Sequence, residues 1–181
     1  MARRLFEAIA RRGAVAKEMG VDLRGAQPLP DNMAGGLTMN EEKFLGATAK
    51  AASTLIQEFV DYRERLKARG LVRMDTAGND PEPVTVMVAG GARIILFTTG
   101  RGTPGGSPIV PVIKIASNTP VYKRLASNID FNTEAVFEGE PLLVVVRRIF
   151  EFLLRVASGT SAAERWGHRE LFAIEPRGHR V

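Results

Sequence analysis

The sequence predicts an α/β fold, and three observations lead to that prediction. Two short runs rich in β-branched residues, 93–97 and 110–116, are bounded by turn residues, which is typical of strands covered on both faces of a parallel sheet. Two longer segments, 44–60 and 142–157, repeat apolar residues at helical period. Strands that alternate with helices favour parallel pairing through right-handed crossovers. For a chain of 181 residues we therefore expect a single three-layer domain with a mostly parallel, Rossmann-like sheet flanked by helices.

The first third of the chain is predicted to be helical apart from one loop. Residues 1–24 form an amino-terminal helical segment, because three apolar residues there share one helix face. Prolines and glycines crowd residues 25–36, which predicts a long loop. Behind this loop, Thr38 and Glu41 have the spacing of a capping box, so we expect a helix to begin there and continue through 44–60.

The rest of the chain is predicted to alternate strands and helices. A strand at 71–74, a buried helix at 84–89 and the strand at 93–97 would form a βαβ unit with parallel pairing. We therefore expect the α/β domain to span residues 25–175 and a basic tail to span 176–181. The remaining predicted elements are the strand at 110–116, a helix at 121–126 that begins near Asn118, an extended piece at 129–132, the helix at 142–157 that ends at Gly159, and a strand at 171–174.

Composition excludes several kinds of site. The chain has no cysteine, so disulfides, cysteine-ligated metals and thiol catalysis are excluded for this chain. Its histidines are His168 and His179, so a metal would depend mainly on oxygen ligands, which favours Mg²⁺, Mn²⁺ or Fe²⁺ over a tight zinc site. His168, beside an arginine, is more simply read as a surface turn residue.

The net charge of +5 favours anionic partners, but the basic residues are scattered along the chain. No basic stripe is interleaved with aromatic residues, so we expect no nucleic-acid partner. The amino terminus lacks an uninterrupted apolar segment, and no apolar run approaches the ~20 residues that span a bilayer. We therefore expect no membrane partner and a cytoplasmic location.

The segment Phe97–Pro108 is the most informative part of the sequence. It is rich in glycine and hydroxyl residues, contains one arginine, and lies between two predicted strands. In open α/β sheets, ligands bind at the loops that leave the carboxyl ends of the strands. Glycines let main-chain N–H groups approach an anion, and the planar guanidinium of Arg101 fits a carboxylate or phosphate. The sequence therefore predicts an anion site, with an ordinary glycine-rich surface loop as the alternative.

The same segment also matches a dinucleotide-binding spacing, Gly100-x-Gly102-x-x-Gly105. That motif requires the loop to open a helix, and Pro104 and Pro108 crowd the next positions. We therefore disfavour a dinucleotide cofactor.

Polar residues follow four of the predicted strands, and parallel strands would bring them to one edge of the sheet. Three of them have a structural alternative: the aspartates are also explained as turn caps and the asparagine as the cap of a helix. The four are Asp75, Thr98, Asn118 and Asp130.

Two lysines, Lys43 and Lys50, are seven residues apart in the predicted helix that begins near Thr38 and continues through 44–60. This spacing places both ammonium groups on one helix face, with ~10 Å between their Cα atoms. Two lysines on one face usually face solvent, and that remains the alternative to a functional role.

Taken together, these segments resemble the carboxy-terminal region of the D-galactarate and altronate dehydratase family, sugar-acid hydro-lyases that include a sulfolactate sulfo-lyase branch. The resemblance covers nearly the whole chain from about residue 15, and the run Phe97–Pro104 is its most specific part. The matching segments are Gly25–Thr38, Glu41–Lys43, Leu45-Gly46, Met74–Thr76, Phe97–Pro104, Lys114, Asn118, Asp130–Asn132, Val156–Gly159 and Glu164.

The resemblance implies removal of water from a sugar acid to give a 2-keto-3-deoxy acid through an enol, with a divalent metal, Fe²⁺ or Mn²⁺. Lys43 or Lys50 would be the base if burial lowers its pKa, with Asp75 as a further acid–base group. Glu42 and Asp130 are the candidate metal ligands. The candidate substrate-binding residues are Thr98, Thr99, Gly100, Arg101, Gly102, Lys114, Asn118 and Asn132.

The sequence also departs from the family. The family's amino-terminal module and middle region have no counterpart here, so we expect a partner chain to carry them. Family members usually have glycines after the lysine that corresponds to Lys50, where this chain has Ala51-Ala52. They also have a glycine-containing pair after the residue that corresponds to Asn132, where this chain has Thr133-Glu134. These departures support an alternative, a non-catalytic module that binds a carboxylate or serves assembly. The apolar helices at 44–60 and 142–157 fit either core packing or a homodimer, and we expect a homo-oligomer.

Overall fold

The computed structural model contains two compact units, one ending at Asp75 and the other running from Thr76 to Ile174. No helix in the described part of the chain is long and apolar enough to cross a membrane. The structure describes residues 2–20, 30–34, 36–39, 42, 45–46, 49–51, 53–62, 64–76, 78, 80–160, 162 and 172–174.

The first unit contains two helices and a small parallel sheet. Strand β2 pairs with β1 so that Phe59 is opposite Arg73, and the Asp75 N–H extends the pairing to the Val60 carbonyl. The buried residues of this sheet are Phe59 and Val60. The elements are α1 (Ala2–Glu18), α2 (Pro30–Ala34), β1 (Ile56–Val60) and β2 (Leu71–Met74).

The helix predicted for 44–60 is only partly present. Residues 42, 45–46 and 49 are helical, which agrees with the predicted start, but Ile56–Val60 form a strand. Apolar residues at 55, 56, 59 and 60 fit a helix as well as a strand, and pairing with β2 decides between the two. The prediction was therefore wrong for the second half of this segment. In the predicted loop at 25–36, Pro30–Ala34 form a short helix.

The predicted βαβ unit was also wrong in its pairing. Strand β2 belongs to the two-stranded sheet with β1, whereas the strand near 95 belongs to a separate three-stranded sheet. The signal for β1 was hidden in an apparently helical pattern, so β2 had no earlier strand to pair with in the sequence analysis. The strand predicted at 171–174 is irregular at 172–174, where the Ala173 N–H donates to the Thr85 hydroxyl at 3.1 Å.

The second unit has the alternating order that the sequence predicted. Its sheet has the order β3-β4-β5, and both pairings are parallel. This architecture, parallel strands flanked by helices, confirms the predicted α/β class. The elements are α3 (Pro81–Ala89), β3 (Ile95–Thr99), β4 (Val112–Ala116), α4 (Thr119–Arg124), β5 (Phe131–Asn132), a 3₁₀ turn (Glu134–Val136) and α5 (Leu142–Ala157).

Helices cover both faces of the three-stranded sheet. On one face Ile95 and Val112 pack with Val84 of α3. On the other face Ile113 and Ile115 pack with Val156 of α5. All five residues of β4 are buried, as expected for the central strand of a covered parallel sheet. The second unit therefore has three layers, with the sheet between helices.

Candidate functional site

The carboxyl ends of the three parallel strands meet at one edge of the second unit. Thr99 is in register with Ala116, and Ala116 with Asn132, so β3, β4 and β5 end side by side. The sequence analysis expected Asp75, Thr98, Asn118 and Asp130 to gather at such an edge. We call the residues from Thr99–Gly102, Asn118–Thr119 and Asn132–Glu134 the carboxyl edge.

A tight turn follows β3 and shapes the most specific part of the loop. The Gly102 N–H donates to the Thr99 hydroxyl at 2.9 Å, and Gly102 has a φ of 87°. A Cβ at this position would lie 2.1 Å from Leu125 Cδ1, so the backbone conformation requires glycine and a larger residue would also force the Leu125 side chain to shift. The Arg124 guanidinium donates to the Arg101 carbonyl at 3.0 Å, while the Arg101 side chain is exposed.

Asn118 connects this turn to helix α4. Its Oδ1 accepts from the Val121 N–H at 2.9 Å, which is an N-cap interaction, and its Nδ2 donates to the Gly100 carbonyl at 2.7 Å. Both ends of the side-chain amide therefore bond to the protein main chain. The alternative kept open for Asn118, that it holds a helix N-terminus, agrees with this geometry.

Asn132 has a comparable role as the last residue of β5. Its Nδ2 donates to the Thr119 hydroxyl at 2.6 Å, and its Oδ1 accepts from the Glu134 N–H at 3.1 Å. The Glu134 carboxylate accepts a hydrogen bond from the Thr119 N–H. Hydrogen bonds from the Thr119 hydroxyl and main chain hold the pKa of Glu134 below its usual value. Asn118 and Asn132 therefore shape the edge, and their contact with a substrate stays a prediction.

Glu134 and Thr119 are residues of the edge that the sequence analysis did not propose. Glu134 was noticed only as a departure from the family pattern. The available signal was local: Thr119 starts α4, and an acidic side chain is favourable at the N-terminus of a helix. What the sequence could not show is that the turn after β5 returns to that helix start.

Lys114 lies inside the second unit. Its side chain is completely buried, and its Nζ donates to the Pro104 carbonyl at 3.1 Å, which connects the glycine-rich loop to the middle of β4. Asp130 accepts from the Lys114 main-chain N–H at 2.8 Å, and the Asp130 N–H donates to the Lys114 carbonyl at 3.0 Å. Lys114 is in the middle of β4 and Asp130 directly precedes β5, so neither belongs to the carboxyl edge. Their hydrogen bonds join β4 to the start of β5.

The other predicted residues belong to the first unit. The Glu42 carboxylate accepts from the N–H and the hydroxyl of Thr38, both at 2.8 Å, and these bonds lower the pKa of Glu42. Asp75 follows β2, and its carboxylate is 3.8 Å from the Arg12 guanidinium. Lys50 lies at an exposed turn, so the burial on which its role as a base depended is not provided. Lys43 is outside the described residues.

Metal binding was tested on the same geometry. In the described ranges, no three of the histidine, aspartate and glutamate side chains group closely enough to hold a metal ion. The two predicted ligands, Glu42 and Asp130, belong to separate units, and each accepts main-chain N–H bonds. The described residues therefore do not fit a metal centre.

A small cavity beside the loop is not the site. It measures about 10 Å³ and is lined by Phe97, Thr103 and Gly106 together with the start of α3. That volume holds about one water molecule, which is too little for a sugar acid. The turn that follows β3 instead carries the exposed Arg101, whose planar guanidinium is suited to an anion.

Comparison with known proteins identifies similar sequences over most of the chain. The family model for the carboxy-terminal part of D-galactarate/altronate dehydratase matches residues 1–178. The chain is 40% identical to altronate dehydratase from Bacillus subtilis over 73% of its length, and 38% identical to galactarate dehydratase (L-threo-forming) from Escherichia coli over 87%. It is also 36% identical to (2R)-sulfolactate sulfo-lyase subunit beta from Chromohalobacter salexigens over 82% of its length.

The matches cover only part of each relative. They span 27% of the altronate dehydratase, 31% of the galactarate dehydratase and 39% of the sulfo-lyase subunit. The resemblance found in the sequence is thus confirmed for a region that makes up between about a quarter and two fifths of these proteins.

Proposed function

Because the chain belongs to the D-galactarate/altronate dehydratase family, as its carboxy-terminal region, we propose that it supplies the carboxylate-binding part of a hydro-lyase acting on a sugar acid. The observation that carries the proposal is the turn Thr99–Gly102 at the carboxyl edge. It presents the exposed Arg101 at a sheet edge of the kind where α/β proteins bind ligands. The Arg101 guanidinium would hold the substrate carboxylate through paired N–H bonds.

The proposed reaction converts the sugar acid to a 2-keto-3-deoxy acid. A base removes the proton from the carbon next to the carboxylate, and the electrons of that C–H bond form a carbon–carbon double bond. Hydroxide leaves the neighbouring carbon and takes up a proton as water, and the resulting enol rearranges to the ketone. Negative charge grows on the carboxylate when the first proton leaves, and a guanidinium placed there stabilises it.

Arg101 would therefore act both in binding and in the proton-removal step. Thr98 is exposed near the end of β3 and would contribute a hydroxyl to the same carboxylate or to a neighbouring hydroxyl of the sugar. The base remains assigned to Lys43 or Lys50 and the further acid–base group to Asp75, as predictions. The implied Fe²⁺ or Mn²⁺ would take its ligands from outside the described residues, and no step above passes through it.

Titration calorimetry with galactarate and altronate tests the binding half of the proposal. Arg101→Ala removes the charge-assisted pair and should weaken binding by about 10- to 100-fold, since such a bond contributes ~1.5–3 kcal/mol. Arg101→Lys keeps the charge without the planar fork and should recover only part of the affinity. Arg93→Ala, at an exposed position before β3, is the matched control and should bind like the unmodified protein. Equal affinity in Arg101→Ala would exclude the proposed pocket.

Inorganic phosphate separates a sugar-acid site from a general anion site. The proposal expects galactarate or altronate to bind more tightly than phosphate, because the edge also offers hydroxyl contacts for the sugar. Tighter binding of phosphate would contradict a sugar-acid site.

Turnover tests the catalytic half. The chain is assayed alone and with a candidate partner chain, in the presence of Fe²⁺ or Mn²⁺ without oxygen, for 2-keto-3-deoxy acid formation. We expect product only when the partner chain supplies the part of the relatives that this chain does not match. Binding that Arg101→Ala abolishes, without turnover in any combination, would instead favour the carboxylate-binding module.

A further inference from the structure

Helix α4 holds the turn after β3 at two successive carbonyl groups. Asn118, the N-cap of this helix, donates from Nδ2 to the Gly100 carbonyl at 2.7 Å. Arg124, the last residue of the helix, donates from its guanidinium to the Arg101 carbonyl at 3.0 Å. Because helical side chains lean toward the N-terminus, the Arg124 side chain can run back along α4 to reach the turn. This short helix therefore brings a second guanidinium to the main chain of Arg101.

The Arg124 guanidinium keeps donors for a ligand. A guanidinium carries several N–H donors in one plane. In the described part of the chain, Arg124 forms the one hydrogen bond to the Arg101 carbonyl, from Nη2, and has no carboxylate partner. The residue is exposed, so an anion can approach it from solvent. Its remaining N–H groups are therefore available to a ligand at the turn.

The acidic side chain of the carboxyl edge is used at the opposite end of α4. Glu134 accepts a hydrogen bond from the N–H of Thr119, the first residue of the helix, whereas Arg124 is the last residue. At ~1.5 Å per residue, these two ends of the helix are about 7.5 Å apart along its axis. The positive charge of Arg124 is therefore left for a ligand rather than neutralised by Glu134.

The two guanidiniums have a spacing that fits a six-carbon diacid. By ordinary bond lengths, an extended arginine side chain places Cζ about 6 Å from its own Cα. The terminal carboxylate carbons of an extended six-carbon diacid are also about 6 Å apart. A diacid with one carboxylate on the Arg101 guanidinium would therefore bring the other beside the Arg101 main chain, where Arg124 donates.

We propose that Arg124 binds the second carboxylate of the substrate, so that this chain selects a dicarboxylic sugar acid of six carbons over a sugar acid with one carboxylate. The inference rests on the proposed function, because it places the first carboxylate on Arg101. A sugar acid with one carboxylate would place a neutral hydroxymethyl group at Arg124 and would gain no charge-assisted bond there. Arg124 is thus a specificity-determining residue that the sequence analysis did not propose.

Titration calorimetry with a matched pair of ligands tests the inference. Galactonate differs from galactarate only in a hydroxymethyl group that replaces the second carboxylate. The unmodified chain should bind galactarate about 10-fold more tightly than galactonate, since a charge-assisted bond contributes at least this much. In Arg124→Ala the ratio should fall to about 2-fold, the statistical advantage of a ligand with two equivalent ends.

Two further variants control for the charge and for the fold. Arg124→Gln keeps an N–H donor for the Arg101 carbonyl but has no charge, so its ratio should fall as it does in Arg124→Ala. Lys123→Ala is the matched control, because it removes the exposed cation next to Arg124 in sequence and should leave the ratio unchanged. Circular dichroism confirms that each variant is folded.

The ratio distinguishes this inference from a structural role of Arg124. If Arg124 only held the turn in place, its loss would weaken both ligands alike and leave the ratio unchanged, which would overturn the inference. Equal binding of the two ligands by the unmodified chain would overturn it as well. If Arg101→Ala weakens both ligands while Arg124→Ala keeps the ratio, only this inference fails. If Arg101→Ala binds both ligands normally, the proposed function fails and this inference fails with it.

Discussion

The two parallel sheets of this protein both end in polar side chains, but they fix those side chains in different ways. In the first unit, Asp61 follows β1, and its carboxylate is held by Arg4 at 3.1 Å and Arg11 at 2.9 Å, both from α1. In the second unit, Asn118 follows β4 and Asn132 is the last residue of β5, and both bond mainly to the main chain near the strand ends.

The difference decides which edge is suited to a ligand. Ion pairs between half-exposed side chains are weak and are screened by salt, and in the first unit they neutralise the acids that follow the strands. Side-chain bonds to the main chain fix the backbone itself, as Asn118 does for the carbonyl of Gly100. The second edge therefore holds a defined turn while Arg101 remains exposed on it. Four substitutions test this contrast.

The largest effect is expected for Gly102→Ala. The positive φ and the contact with Leu125 should together lower the free energy of unfolding by about 2–4 kcal/mol, measured by urea denaturation. Gly100→Ala is the control, since its Cβ would lie 3.4 Å from the Ser117 hydroxyl at ordinary φ, and we expect a change below about 1 kcal/mol. Equal stability of the two variants would mean that the turn is not fixed as described.

Asn118→Ala should lower the free energy of unfolding by about 1–2 kcal/mol, because it removes the cap of α4 and the bond to the Gly100 carbonyl. Asn118→Ser keeps an oxygen that can cap the helix but loses the bond to the Gly100 carbonyl. Its stability should therefore fall between that of the unmodified protein and that of Asn118→Ala. If serine restored full stability, the bond to Gly100 would contribute nothing to the edge.

Glu134 should make the second unit sensitive to acid. Its pKa is lowered in the folded state by Thr119, so its stabilising effect is complete above the unfolded-state value near 4.3 and is lost as the pH falls through the folded value. The stability difference between Glu134→Gln and the unmodified protein should therefore be largest at neutral pH and should shrink in acid. Glu138→Gln, at an exposed position in the same turn, serves as the control. A difference that stays constant with pH would contradict this assignment.

The smallest effect is expected in the first unit. Arg4→Met removes the pairs with Asp61 and Glu64 and should slightly lower the thermal midpoint at low salt, with no difference from the unmodified protein at high salt. Arg3→Met is the control, since among the described residues Arg3 pairs only with Glu7, on the exposed surface of α1. A large effect that persists at high salt would show that the first edge is as firmly built as the second.

The same contrast explains which features the sequence revealed. Helix α5 and the turn near Gly100 carry local signals, a helical period that ends at a glycine and a dense run of turn residues, and both were predicted at their observed places. Strand β1 was missed because its apolar spacing also fits a helix, and only pairing with β2 defines it.

In the candidate site, too, the sequence predicted the features with a local signal and missed those that depend on contacts between distant residues. The position of Arg101 at a sheet edge follows from the strand–loop pattern, which is local. The contact of Glu134 with Thr119 joins residues 15 positions apart, and the buried ammonium of Lys114 meets a carbonyl 10 positions away. Such contacts depend on how the loops return to the sheet, which residue types alone do not specify.

The burial of β4 along its whole length has one more consequence. Strand β4 pairs with a strand on each side, its Lys114 N–H donates to the Asp130 carboxylate, and both of its faces are covered, so its amides should be among the last in the molecule to exchange with deuterated solvent. Short-lived openings of the surface turn would then leave this strand closed. The glycine-rich loop, joined to β4 through the Lys114 ammonium, is therefore tied to the part of the molecule that should open last.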